Sequence, residues 1–231
     1  MKKLVFVFLI SSPLFLIDAL QAQVCNDYIL TQEGTELEYT FYDKREKVTG
    51  KSVQKIEKVS EKGDGLEAEV NTAMYDKKDK KTFESDMVIN CSSEGLHISM
   101  ENYLSAESMS GFSEMDMDVE GDDLLIPADI KVGDVLPGGE MKLTISGPTS
   151  PRMTMTITIE DRKVEAREDI TTPAGTFTCY KITYETETNM PMAEKSKSVE
   201  WFSLEAGQVK LENYGRNDKL TGYSVLSDLK K

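Results

Sequence analysis

Histidine is almost absent from this chain: His97 is the only one in 231 residues. That scarcity excludes a His-based zinc centre by count, and a Ser/His/Asp or Cys/His nucleophilic site would have to use His97 itself. His97 stands between Leu96 and Ile98 in a short strand-like run, with no surrounding motif that marks it as catalytic. Cysteine is nearly as scarce, and three residues without C-x-x-C spacing argue against a cysteine metal site. Positive charge is also in deficit, with 27 Lys and Arg against 41 Asp and Glu for a formal charge of −14. Such a chain binds nucleic acid poorly and is repelled by anionic lipid surfaces. Its acidic residues serve instead to keep a strand-rich protein soluble and to blunt sheet edges. Beyond Leu20 no stretch is long and apolar enough to span a bilayer as a helix, and no Pro/Ser-rich linker divides the chain.

What is present begins with an address. Met1-Lys2-Lys3, an apolar run from Leu4 to Ile17 and then Ala19-Leu20-Gln21-Ala22 have the order of a secretory signal peptide, too short for a membrane span. Cleavage after Ala22 removes residues 1–22 and leaves one domain, 23–231, with no integral membrane segment. Losing Lys2, Lys3 and Asp18 takes the formal charge from −14 to −15. A lipid anchor on Cys25 is disfavoured, because Val24 stands where a lipobox needs a small residue. In an oxidising compartment three cysteines allow one bridge and one free thiol. Spacing does not settle the pair; Cys25 with Cys91 is favoured because it would tie down the N-terminus, leaving Cys179 as a buried thiol in a strand.

Period-two alternation dominates the rest. Leu37, Tyr39 and Phe41 alternate with Glu36, Glu38 and Thr40; Leu66, Ala68, Val70, Thr72 and Met74 share a face; so do Phe83, Ser85, Met87 and Ile89. Met115 to Ile126 returns to alternation, and Met153, Met155, Ile157 and Ile159 open a long strand. The best-specified piece runs from Lys163 to Thr188, where two strand-like runs flank Thr172-Pro173-Ala174-Gly175. Pro173 sets φ for the second position of a type I turn, and Gly175 supplies the left-handed conformation that closes a bulged hairpin. Tyr42–Lys47 and Tyr75–Lys80 echo one another but their flanks do not, so they read as similar charged hairpin tips and not as a repeat. Glu101 to Phe112 is the one helical candidate. Roughly eleven to thirteen strands joined by short hairpins imply a mainly β fold. The expectation is a single curved antiparallel sheet or open half-barrel with one short helix, with a two-sheet β-sandwich as the alternative.

Chemistry is thin. Asp116, Asp118, Glu120, Gly121, Asp122 and Asp123 start like a calcium loop, but Pro127 occupies the position of the bidentate Glu. No catalytic, cofactor-binding or metal-ligating set can be assigned. Among twelve methionines, Met100, Met109, Met115, Met117, Met153, Met155, Met190 and Met192 suggest either gap filling in a curved sheet or contact with a greasy ligand.

Thr172-Pro173-Ala174-Gly175-Thr176-Phe177-Thr178-Cys179-Tyr180-Lys181-Ile182 resembles the signature of the TapB-like exported proteins of Gram-negative bacteria, a family itself uncharacterised. Val132–Leu136, Glu33-Gly34-Thr35 and Trp201-Phe202 with Gly207–Lys210 fall where that family has similar pieces. The resemblance implies a curved half-barrel similar to that of LolA, and a periplasmic or cell-surface address. The function expected is non-enzymatic: an envelope protein that binds a lipid, another hydrophobic or amphipathic ligand, or a segment of an envelope partner on a concave sheet face. The alternatives are a structural or adhesion-accessory surface module, and a hydrolase with two carboxylates roughly 5 to 9.5 Å apart in one cleft.

Overall fold

The computed structural model describes residues 24–103, 116–147, 150–190 and 192–231. The signal peptide expected at 1–22 lies outside them, as do Met109 and Met115. Thirteen strands form one sheet: β1 (Glu36–Asp43), β2 (Val48–Lys62), β3 (Gly65–Asp76), β4 (Lys81–Ser92), β5 (Gly95–Ser99), β6 (Asp116–Gly121), β7 (Asp123–Pro127), β8 (Gly139–Gly147), β9 (Ser150–Thr172), β10 (Gly175–Met190), β11 (Met192–Ser203), β12 (Gly207–Gly215) and β13 (Lys219–Lys230). The spatial order is β6-β8-β9-β10-β11-β12-β13-β1-β2-β3-β4-β5-β7. Every neighbouring pair is antiparallel. The single curved sheet therefore stands, and no second layer of a sandwich is needed.

The sheet's two edge strands, β6 and β7, are consecutive in sequence and separated only by Asp122. Counting strand directions from β1 around either side makes β6 and β7 run the same way. They form one interrupted strand whose first half pairs with β8 and whose second half pairs with β5. Chain continuity thus draws the edges together and nearly closes the barrel. Asp122 pins the junction. Its N–H donates to Glu140 O at 3.0 Å, its Oδ2 accepts from Glu140 N at 2.9 Å, and its carbonyl accepts from Met100 N at 3.3 Å.

The interior is filled by apolar side chains that the alternation predicts, including Leu37, Ile56, Val70, Leu124, Ile126 and Leu226, all nearly sealed from solvent. Burying one such side chain contributes about 1.5–3 kcal/mol. The segment before β1, with a helical turn at 24–26 and a 3-10 turn at Ile29–Thr31, adds Cys25, Tyr28, Ile29 and Leu30 to this core. Cys25 is disulfide-bonded to Cys91 near the end of β4, with Cα atoms 5.8 Å apart across a separation of 66 residues. A closed loop of that length stabilises the fold by about 4 kcal/mol in the chain-entropy model.

The two echoing tips are the same turn built twice. Asp43 Oδ1 accepts from Arg45 N and Lys47 N at 2.8 and 3.0 Å, and Asp76 Oδ1 accepts from Lys78 N and Lys80 N at the same distances. These backbone donors hold both carboxyls below their usual pKa. Glu46 and Asp79 complete the turns with φ of 60° and 59°. The hairpin at Thr172–Gly175 pairs Gly175 with Thr172, so Pro173 and Ala174 alone make the loop. Gly175 takes φ +140°, a positive value but more extended than the compact left-handed well expected for it. The helix expected from Glu101 begins instead as a 3-10 turn, Met100–Tyr103; positions 104–112 lie outside the described residues.

Candidate functional site

Closure through one interrupted strand leaves two seams. Between β7 and β9, the loop 128–138 fills the gap. Gly133 N donates to Val164 O at 2.8 Å, Leu136 N to Arg162 O at 2.8 Å, and Val164 N to Asp134 O at 2.9 Å. Arg162, only 1% exposed, reaches across with Nη1 donating to Leu125 O at 3.1 Å and Pro137 O at 2.8 Å. Ile130 and Leu136 of the loop are buried. This seam is sealed.

Across the other seam, between β6 and the first half of β4, no described strand runs. β5 pairs only with the last four residues of β4, from Ile89 to Ser92, so no described strand covers the outer edge of β4 from Lys81 to Val88. A cleft of about 180 Å³ results, lined by Met74, Phe83, Ser85, Met87, Met117, Val119 and Glu101. Local patterning puts them there. Met74 and Phe83 are paired across β3 and β4, Ser85 and Met87 continue the face of Phe83, and Met117 and Val119 are the apolar members of acidic β6. Thr72 Oγ1 lies 3.8 Å from Met87 Sδ and holds that side chain against the wall.

Among the described residues Glu101 is the cleft's one ionisable lining residue. Its N–H donates to Ser99 Oγ at 3.3 Å, whereas its carboxylate has no hydrogen-bond or ion-pair partner among the described residues. Partial burial raises its pKa above the ordinary carboxylate value, and the nearby charge of Asp123 adds to the rise. A soft apolar wall of three methionines and a phenylalanine, with one underused acceptor, suits the chain of an amphiphile better than a reacting bond.

The other residues singled out in the sequence lie elsewhere. Of the methionines named there, Met117 lines the cleft, Met100 and Met155 are buried, and Met153 is exposed. His97 contacts Ser92, Nε2 to Oγ at 3.3 Å, and that hydroxyl also accepts from Glu94 N in the β4–β5 turn. Asp116, Asp118 and Glu120 are exposed along extended β6, and among the described residues no three His, Cys, Asp or Glu side chains gather to hold a metal. Cys179 is free and buried, its thiol pushed up to about 12 by burial, then by Asp169 and Glu168. Trp201 is nearly buried, its Nε1 donating to Glu168 Oε1 at 2.7 Å and its ring 5.4 and 4.8 Å from the ammonium groups of Lys181 and Lys210. Pro173 and Gly175 sit at the Thr172–Gly175 turn and take no part in the cleft.

Sequence reasoning had not singled out Met74, Phe83, Ser85, Met87 or Glu101 as a site, though it had placed the first four on strand faces. One signal was available. The apolar phase of Met117 and Val119 does not continue into Leu124 and Ile126, and the break marks Asp122 as the junction.

No helix among the described residues is long and apolar enough to cross a membrane. Comparison with known proteins gives a family model described as DUF3108-like, which matches residues 32–226. No curated protein matches the chain. Two crystal structures share the fold. One is a protein of Bacteroides fragilis predicted to be exported, with a YmcC-like fold; it is 27% identical, TM-score 0.78, covering 88% of this chain and 99% of its own. The other is a predicted lipoprotein of Parabacteroides distasonis, 23% identical, TM-score 0.78, covering 87% of this chain and 96% of its own.

Proposed function

This chain belongs to the DUF3108-like family, and on that premise we propose that it is a non-enzymatic envelope protein of a Gram-negative bacterium that holds the apolar part of an amphipathic ligand in the cleft between β4 and β6. The observation that carries this reading is the β4–β6 seam with its methionine-rich wall. The protein's own core occupies much of the concave face, and the cleft lies at its border, where Met74, Phe83, Met117 and Val119 pack against that core. The likeness of the Thr172–Ile182 stretch to TapB-like exported proteins, and the export predicted for the Bacteroides relative, support the address. Single-chain ligands fit best: binding sites for larger organic molecules are commonly ~300–1,000 Å³, and this cleft holds about 180 Å³. The carboxylate-pair hydrolase finds no support in the described lining, where Glu101 is the one carboxylate.

Decyl glucoside, whose head is uncharged, tests the apolar part of the proposal. Isothermal titration is expected to show one saturable site that disappears in Ser85→Trp, where an indole fills the cleft without removing a core side chain. Equal binding by the two proteins, or none by the wild type, rejects the cleft as the site.

A second reading, a surface module that docks through the 128–138 loop, is favoured by Val132 and Val135, which are 54% and 77% exposed there. Isolated apolar residues are ordinary on protein surfaces, and that makes it the lesser reading.

A further inference from the structure

We propose that Glu101 makes the cleft selective for amphiphiles with a cationic, hydrogen-bond-donating head, of which an alkylammonium is the simplest. This rests on the cleft-binding reading above and goes beyond it by assigning the chemistry of the head group. Three observations combine. Glu101 is half-buried and is the one charged residue of the described lining. Its carboxylate lacks any partner among the described residues, although carboxylates on β4, which supplies one wall of the cleft, have found one: Glu84 pairs with Lys81 at 2.6 Å and Asp86 accepts from Asn71 at 2.8 Å. The remaining lining residues, from β3, β4 and β6, are Met, Phe, Val and Ser and bring no cation of their own.

A partly desolvated carboxylate without a donor is an unmet electrostatic demand. An ammonium ion meets it with up to three N–H donors, while the attached chain lies against Met74, Phe83, Met87, Met117 and Val119. A carboxylate-headed chain of the same length would place two negative charges together in a low-dielectric recess and is excluded from that orientation. The volume also limits the ligand. At ~30 Å³ per water the cleft displaces about six waters, enough for part of one chain and too little for a double-chain lipid.

The raised pKa of Glu101 gives a pH signature. Among the described residues the charge that acts on Glu101 is Asp123 of β7, and the walls from β3, β4 and β6 supply no titrating side chain to the lining. Only ionised Glu101 attracts the ammonium, so selectivity is full above its pKa and fades as pH falls through that raised value. The alkylammonium remains charged throughout.

The test titrates decylammonium, decanoate and decyl glucoside, each below its micelle concentration, against wild type, Glu101→Gln and a surface control, Glu120→Gln. Decylammonium is expected to bind one-to-one and about tenfold or more tighter than decanoate. Glu101→Gln should bring the two within about threefold while decyl glucoside binds as before, and Glu120→Gln should change nothing. If Glu101→Gln proves unstable, Glu101→Leu takes its place with the same expectation, because it too removes the charge at this one position and leaves the surface carboxylates as they are. Equal binding of all three probes by wild type overturns the head-group assignment and leaves the cleft reading standing. A preference that survives Glu101→Gln also overturns it, since general surface acidity would then be its source. Failure of every probe to bind overturns the cleft reading as well.

Discussion

Arg162 brings a guanidinium into a wall where neighbouring strands cannot pair. Its Nη1 satisfies the carbonyls of Leu125 and Pro137, so a side chain replaces the backbone ladder missing between β7 and β9. Burying the cation is costly, and Nη2 has no hydrogen-bond partner among the described residues. The two carbonyls nevertheless need donors where solvent does not reach. Removing the side chain leaves both unpaired and opens a cavity behind them. Arg162→Ala should therefore cost about 3 kcal/mol or more, read as a fall in the urea midpoint at unchanged slope. Arg162→Met, which keeps most of the volume, should cost less. A loss under about 1 kcal/mol for the alanine variant would show that the loop 128–138 seals the seam unaided.

At the scale of elements, the hairpin between β9 and β10 separates folding from function. Gly175 has φ +140°, and a Cβ there would meet only the Phe177 ring at 3.4 Å, so the penalty for substitution lies in the backbone. Gly175→Val should lower stability by about 1–3 kcal/mol, measured by thermal or urea unfolding, and leave probe affinity in the cleft unchanged. Unaltered melting with lost binding would contradict the structural role. This hairpin was legible in the sequence because turn chemistry is local: Pro173 and Gly175 declare it whatever surrounds them. The strand faces of β1, β3 and β4 were legible for the same reason, since burial follows period two within each strand. The cleft was not. Phe83, Ser85, Met87 and Ile89 share one alternating face, yet Ile89 meets the covered end of β4 while Phe83 and Ser85 face the seam. Which half of a strand lacks a neighbour depends on β5 being short and on β6 crossing to β7 at Asp122, and these are properties of sheet closure. Arg162 carries no local signal in the sequence, because its acceptors are the backbone carbonyls of Leu125 and Pro137, 37 and 25 residues away.

For the whole molecule, thirteen strands nearly close, with the two seams of one interrupted strand treated differently. A loop and an arginine seal the β7–β9 seam; the β4–β6 seam keeps an apolar recess with one carboxylate in its described lining. The disulfide ties the N-terminal plug to β4 at its far end, beyond the stretch that lines the cleft. The central claim is that this recess exists for a ligand. Native mass spectrometry of the protein drawn from its own cell envelope, wild type beside Ser85→Trp, tests that claim most directly. The account predicts a single-chain amphiphile retained at one per wild-type molecule and absent from Ser85→Trp; bare wild-type protein, or the same adduct on both, would contradict it.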